Sequence, residues 1–325
     1  MTLQAPAKIN LHLRVGPLMT DGGSSGFHPL MSWFCTVGLF DTLILESRQT
    51  IASGDEPLVT ISCDDPGLPC DGRNLVMRAA EALARGADGN GGRGETPPSS
   101  LPSPRRASTA TLPPLSIALA KQIPMGAGLG GGSSDAARAL LGLNKLWKLK
   151  LPISQLSAIA ASLGSDVPFF IHGDSCTCTG RGEVVQPIAA PKPKACLLIL
   201  PALHVSTPAV YTRFDEMNLG DARAIAPEHQ PSWQDWSKLS ADQLLPLLAN
   251  DLEAPAFSLE PDLTRLRAEA QSLLGRPVRM SGSGSSLFTL YDERAPAESA
   301  AADVSRRLNV RALAVELAPK VQDDV

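Results

Sequence analysis

The chain has no apolar run able to cross a bilayer. Its longest, Ala195 to Leu200, falls far short of the ~20 residues that a spanning helix needs. The opening MTLQAPAKIN lacks both the charged start and the apolar stretch of a signal peptide. There is no extended basic run, and a formal net charge of −4 offers no electrostatic footprint for nucleic acid. The six cysteines (Cys35, Cys63, Cys70, Cys176, Cys178 and Cys196) contain no C-x-x-C pair, and the histidines are not spaced for zinc. They read as free core thiols. Internal repeats are missing too. What remains is a cytoplasmic protein with no membrane or nucleic-acid partner, whose 325 residues suffice for a full core and two domains.

What is present is concentrated between Ile123 and Trp147, IPMGAGLGGGSSDAARALLGLNKLW. Gly126, Gly128, Gly130, Gly131 and Gly132 leave the backbone bare just before a helix should start, so its N–H groups can turn inward and an anion can approach closely. Ser133, Ser134 and Asp135 are helix-opening residues, and Leu140, Leu143 and Trp147 follow at helical spacing. Loop and helix N-terminus together predict a phosphate pocket.

Four kinds of glycine loop compete for this reading. The P-loop of the common nucleoside triphosphatases needs Gly-Lys-Ser or Gly-Lys-Thr, and Gly132 runs directly into Ser133 with no lysine. Gly126, Gly128 and Gly131 fit G-x-G-x-x-G, but Pro124 interrupts the approach and the charges from Trp147 to Lys150 are basic, where a dinucleotide fold needs an acid for the ribose. A flexible linker would not open onto an amphipathic helix. The fourth kind is the loop of the GHMP small-molecule kinases, Pro-x-Gly-x-Gly-Leu-Gly-x-Ser-Ser. Pro124, Gly126, Gly128, Leu129, Gly130, Ser133 and Ser134 resemble it, with one extra glycine.

Along the rest of the chain, Ala7 to Val15 reads as a strand with Ala7, Ile9, Leu11 and Leu13 on one face. Lys8, Asn10 and His12 would share the other, either as a solvated face or as a cleft wall carrying a fixed positive charge at Lys8. Met31 to Glu46 suggests a second strand pair turning at Phe40-Asp41-Thr42. Asn74 to Arg85 looks helical, whereas 86–114, rich in glycine and then proline with almost nothing apolar, reads as a disordered surface insertion in which Arg105-Arg106 is solvated. Leu115, Ile117 and Leu119 form a strand that delivers the chain to the glycine loop, and Ser154 to Leu163 a helix stopped by Gly164. Asp166, before Pro168, is either a local turn residue or the carboxylate that a kinase benefits from placing beside an attacking hydroxyl. Asp135 competes for that role but sits more naturally as support for the loop. Ala195 to Pro201 reads as a buried strand opening a second domain; Trp233 to Leu248 and Asp251 to Leu274 read as helical. The Ser281–Ser286 stretch is a second glycine-serine turn, either a tight connection or a second backbone wall of the site.

The resemblance extends beyond the loop. Pro6-Ala7-Lys8-Ile9-Asn10-Leu11, Phe27-His28, Gly164-Ser165-Asp166-Val167-Pro168 with Gly180-Arg181-Gly182-Glu183, and Ser281-Gly282-Ser283-Gly284 stand in the order found in one branch of that kinase family. The resemblance implies an α+β, two-domain GHMP kinase fold: a ribosomal-protein-like α/β nucleotide-binding domain over 1–190 and a ferredoxin-like α+β domain over 191–325. It implies ATP and Mg2+ as cofactors, and as substrate a small-molecule alcohol carrying a cytidine diphosphate, in a monomer or homodimer. By position, Asp166 would be the catalytic base and Lys8 its charged partner, while Asn10 would orient the alcohol. The run Pro124, Met125, Gly126, Ala127, Gly128, Leu129, Gly130, Gly131, Gly132, Ser133 and Ser134 would hold ATP, with Asn74, Leu75 and Lys121 near the adenine. His28 would hydrogen-bond cytosine, and Phe27 and Tyr211 would sandwich it, since aromatic faces bind a flat base and polar edges choose which one. Magnesium's protein ligands are unassigned, with Ser133 closest by loop geometry. Two departures stand out: Gly23 to Gly26 interrupt the expected Asp-Gly-Tyr-His, and Phe27 replaces its tyrosine. The rival readings are a sister kinase for a mevalonate- or homoserine-like alcohol, and a non-catalytic ATP-binding regulator that has no need of Lys8 and Asp166 together.

Overall fold

The structure, a computed structural model, describes residues 1–20, 26–48, 57–87 and 112–321. The turn residues Gly23 to Ser25 and the 88–111 part of the expected insertion lie outside them.

Two long strands, β1 (Thr2–Val15) and β2 (Leu30–Ser47), form an antiparallel ribbon. They are joined in one sheet by β3 (Val59–Cys63), β4 (Leu115–Ala120), β5 (Ser175–Thr179) and β6 (Val184–Pro187), in the order β3-β4-β2-β5-β6 with β1 alongside β2. The helices α1 (Leu75–Ala87), α2 (Gly131–Leu146), α3 (Ile153–Leu163) and α4 (Val167–His172) cover this sheet. Leu3, Leu43, Leu45, Leu83, Ile117, Leu140 and Phe169 are buried in the core between them. Each contributes ~1.5–3 kcal/mol by leaving water.

The second sheet is antiparallel, β10-β7-β9-β8, built from β7 (Ala195–Leu200), β8 (Arg279–Met280), β9 (Leu287–Tyr291) and β10 (Arg311–Glu316). Around it lie α5 (Thr207–Glu216), α6 (Trp233–Trp236), α7 (Ala241–Leu244), α8 (Glu253–Leu259), α9 (Pro261–Leu274) and α10 (Arg294–Leu308). All six residues of β7 are buried, as its unbroken apolar run requires. A shared core joins the sheets, where Ile9, Leu11 and Trp33 of the ribbon meet Leu198, Leu244 and Phe288.

Three expectations need correction. Phe40-Asp41-Thr42 is not a turn: β2 runs through it unbroken, and the fully buried Asp41 is an anchor whose Oδ1 accepts the N–H groups of Gln122 (2.6 Å) and Ile123 (2.9 Å). Nor do Lys8, Asn10 and His12 share one face. Asn10 pairs with Phe34 but His12 with Trp33, so Leu11 is an extra residue that bulges the strand and turns His12 to the opposite side. The helical stretches after Trp233 are shorter than periodicity suggests. α6 and α7 are single turns, and Pro261, lacking an N–H, starts α9 afresh instead of continuing α8.

Candidate active site

The glycine loop connects β4 to α2, and its geometry follows from where its carbonyls go. Leu129 O accepts the Lys8 N–H (2.8 Å) and Ala127 O the Ser286 N–H (3.1 Å). Gly128 O accepts from Ser281 Oγ (2.9 Å). Ala127 and Leu129 bury their side chains in the shared core. With carbonyls and side chains committed to the protein, the amides are left for a ligand. Gly128 has φ +76°, and a Cβ there would stand 2.2 Å from the Ser281 carbonyl oxygen, so only glycine lets the loop lie against the 281–286 turn. That turn is a second backbone wall. Gly130 caps α2 in the left-handed conformation, so the helix starts at Gly131 and Ser133 and Ser134 fall in its first turn. Ser134 Oγ is fully buried and has no hydrogen-bond partner among the described residues, an orphaned polar atom beside a helix N-terminus.

Against this cradle sits a charged pair. Lys8 Nζ is 3.4 Å from Asp166 Oδ2, the lysine side chain 5% exposed and the carboxylate 34%. The lysine also donates to Asn10 Oδ1 (2.7 Å) and lies over the Phe34 ring at 4.8 Å. Asn10 Nδ2 donates to Ser32 Oγ (3.0 Å), which in turn donates to the His12 carbonyl (2.6 Å). The Asn10 amide is thereby fixed in one orientation. Asp166 stands immediately before α4, and Ser281 Oγ accepts the Asn10 N–H (3.2 Å), stitching β1 to the second wall.

Matches to two family models cover much of this chain, "GHMP kinases N terminal domain" over residues 74–174 and "GHMP kinases C terminal" over 229–310. A 4-diphosphocytidyl-2-C-methyl-D-erythritol kinase from Rhodococcus jostii is 36% identical, with 95% of this chain and 91% of that protein covered. Its counterpart from Synechococcus sp. (strain CC9605) is 37% identical, with 95% and 93% covered. The chain belongs to this kinase family, a branch of the GHMP kinases. A crystal structure titled 4-(cytidine 5'-diphospho)-2C-methyl-D-erythritol kinase superposes with a TM-score of 0.68 at 34% identity, covering 98% of this chain and 100% of that one. Homoserine kinase from Cytophaga hutchinsonii, at 17% identity and a TM-score of 0.64, shares the fold.

In this GHMP kinase the other sequence-predicted residues fall into three groups. Phe27, His28 and Tyr211 lie at one end of the cleft. The His28 ring is 5.2 Å from Tyr211 and edge-on to Phe214 at 5.5 Å. Its Nδ1 is 2.9 Å from Gly16 O and its Nε2 3.4 Å from Asp215 Oδ1, so both ring nitrogens already have protein partners. Burial, and then the Asp166 charge, push the Tyr211 hydroxyl up to about 12. Phe27 is 48% exposed and carries the Arg181 guanidinium over its ring at 4.5 Å.

The second group is the expected adenine residues. Leu75 Cδ1 is 3.7 Å from where a Gly132 Cβ would be. Asn74 caps α1, its Oδ1 accepting the Val76 N–H and its Nδ2 donating to Pro69 O, each at 2.9 Å. Lys121 is buried between Asp41 and Asp135, donating to Asp135 Oδ2 at 2.6 Å. The third group is the loop itself, where Pro124 and Met125 form the rim, Met125 being half exposed.

Sequence reading gives no role to Arg181, Thr207, Ser283 or His204, all of which the fold brings here. Thr207 Oγ1 and Ser283 Oγ are 2.6 Å apart between α5 and the second wall. A Cβ on Gly126 would meet the His204 ring at 2.8 Å. Signals exist for Arg181 in the Gly180-Arg181-Gly182-Glu183 turn and for Ser283 in the 281–286 glycine-serine turn; nothing local marks Thr207 or His204.

Proposed function

We propose that the chain transfers the γ-phosphoryl group of ATP to the 2-hydroxyl of 4-diphosphocytidyl-2-C-methyl-D-erythritol. The observation that carries this reading is the Lys8–Asp166 pair, 3.4 Å apart, set against a glycine loop whose amides from residue 125 to 130 have no acceptor among the described residues. A non-catalytic nucleotide binder has no use for that pair.

ATP's polyphosphate lies along the mouth of α2, its oxygens taken by loop amides and by Ser133 and Ser134. The orphaned Ser134 hydroxyl fits such a guest. Magnesium, when bound, neutralises charge on the β- and γ-phosphates. Among the described residues no group of three or more His, Cys, Asp or Glu could cage it, so ATP's own oxygens and the Ser133 side would hold it. Asn10 positions the acceptor. As the hydroxyl oxygen bonds to the γ-phosphorus, its proton passes to the Asp166 carboxylate and the bond from phosphorus to the β,γ-bridging oxygen breaks, releasing ADP. Lys8, held by Asn10 and Phe34, steadies the charge on the transferring group.

The cytosine lies at the Phe27–Tyr211 end, with His28 at its edge. Because His28 Nε2 faces Asp215, the base must displace or share that carboxylate, itself 43% exposed. Arg181 makes no ion pair among the described residues, and its guanidinium, beside Phe27, would meet the substrate's diphosphate. The deciding assay offers purified protein ATP, magnesium and a panel of alcohols with and without a cytidine diphosphate, scored by ADP release. Equal turnover of the bare alcohols sinks the cytidine assignment in favour of a sister kinase.

A further inference from the structure

The bulge at Leu11 gives the β1–β2 ribbon a second functional side. Lys8 and Asn10 point to the glycine loop, whereas His12 and Arg14 pair with Trp33 and Met31 and point away from it. There they line a cavity of about 490 Å³, completed by the segment between α5 and α6. That volume is in the range of small-molecule sites. None of its lining belongs to the glycine loop, the Lys8–Asp166 pair or the Phe27–His28–Tyr211 end.

The polar lining holds two arginines, two histidines and one acid. Arg14 Nε shares its charge with Asp251 (3.1 Å). Arg223 and His229 are exposed, and their side chains make no ion pair or hydrogen bond among the described residues. The one acid, Asp221, is partly committed, since its Oδ1 accepts the Arg223 N–H at 2.8 Å. His12 is 5% exposed, and its Nδ1 accepts the Ala249 N–H at 3.2 Å. That bond puts the ring hydrogen on Nε2, which has no hydrogen-bond partner among the described residues. Burial, with Arg14 and Arg279 nearby, lowers its pKa to about 4 and keeps it a neutral donor. The remaining wall is apolar: Met31, Pro231 and the Trp236 ring, which stands edge-on to His12 at 5.4 Å.

We propose that this cavity is a second, non-catalytic binding site for a phosphate ester bearing an apolar group. The phosphate sits between Arg14, Arg223, His229 and the His12 Nε2–H, and the apolar group lies against Met31 and Trp236. The site depends on the bulge and the cavity alone, so it stands whether or not the kinase reaction is the one proposed above.

The test is calorimetric titration of the full chain with hexyl phosphate, with a non-hydrolysable ATP analogue filling the glycine loop and inorganic phosphate as control. One equivalent should bind saturably, and more tightly than inorganic phosphate. Arg223→Ala and, separately, His229→Ala should weaken it, the former by ~10-fold or more, the scale of one charge-assisted hydrogen bond. Both variants should keep wild-type melting temperature and basal turnover. No saturable binding, displacement by the ATP analogue, equal affinity for inorganic phosphate, or an Arg223→Ala variant that binds as wild type would each overturn the proposal.

Discussion

Two lysine–carboxylate clusters flank the glycine loop, and they are made of the same chemistry put to different ends. Lys8 and Asp166 meet at 3.4 Å with the carboxylate one-third exposed to the cleft. Lys121, Asp41 and Asp135 meet beneath the loop with every side chain at or below 6% exposure. A pair whose carboxylate opens to the cleft stays available to a substrate, though its lysine is as buried as Lys121. A buried triad offers no access, and breaking it strands charge in a medium that cannot solvate it. Burial, more than residue identity, separates chemistry from architecture here. Asp41 makes this concrete, because its carboxylate also receives the two N–H groups that aim the chain into Pro124.

The largest expected effect falls on the open pair. Asp166→Asn should lower kcat by ~10²–10⁴-fold, the range of lost general-base catalysis, while ATP affinity and melting temperature stay near wild type. Unchanged turnover would remove Asp166 from the reaction and erase the contrast. The buried triad should behave in the opposite way. Asp41→Ala should cost ~3–5 kcal/mol in urea unfolding, since Lys121 and two backbone N–H groups lose their acceptor. A melt unchanged from wild type would mean that the triad is not holding the loop.

Next in size is the cytosine end. Phe27→Ala should raise KM for the cytidine-bearing alcohol by ~10-fold, as expected for a lost stacking face; kcat should hold. A matching rise in KM for ATP would place Phe27 elsewhere in function.

The last effect is a pH dependence. Burial, opposed by Lys121 and reinforced by Asp41, raises Asp135 from 3.8 to about 7. The folded state therefore binds more protons than the unfolded chain between those values, and this group's contribution to stability falls as pH climbs from about 4 to 7. Plotted against pH, the stability of wild type relative to Asp135→Asn should decline across that window. A flat difference would show the carboxylate ionised throughout.

Much of this was legible without coordinates. The glycine loop, the helix behind it, the strand carrying Lys8 and Asn10, and the buried β7 all follow from patterns a few residues long. His12 was misplaced because period-2 alternation assumes an unbroken ladder, and a single bulged residue reverses every face beyond it. Phe40-Asp41-Thr42 reads as a turn because Asp is turn-like in sequence, while the three groups that donate to its carboxylate come from 80 or more residues away. Arg181's position over Phe27 was invisible for the same reason.

The sequence by itself determined that a glycine loop opens a helix, because bare backbone, left-handed dihedrals and helix caps are local properties of consecutive residues. Only the tertiary structure decided which charges meet and which are sealed in: residue 8 with 166, whose carboxylate faces the cleft, and residue 121 with 41 and 135, all buried. Such pairings depend on how the chain returns on itself, and the dielectric around each is set by everything packed over it rather than by its neighbours in sequence.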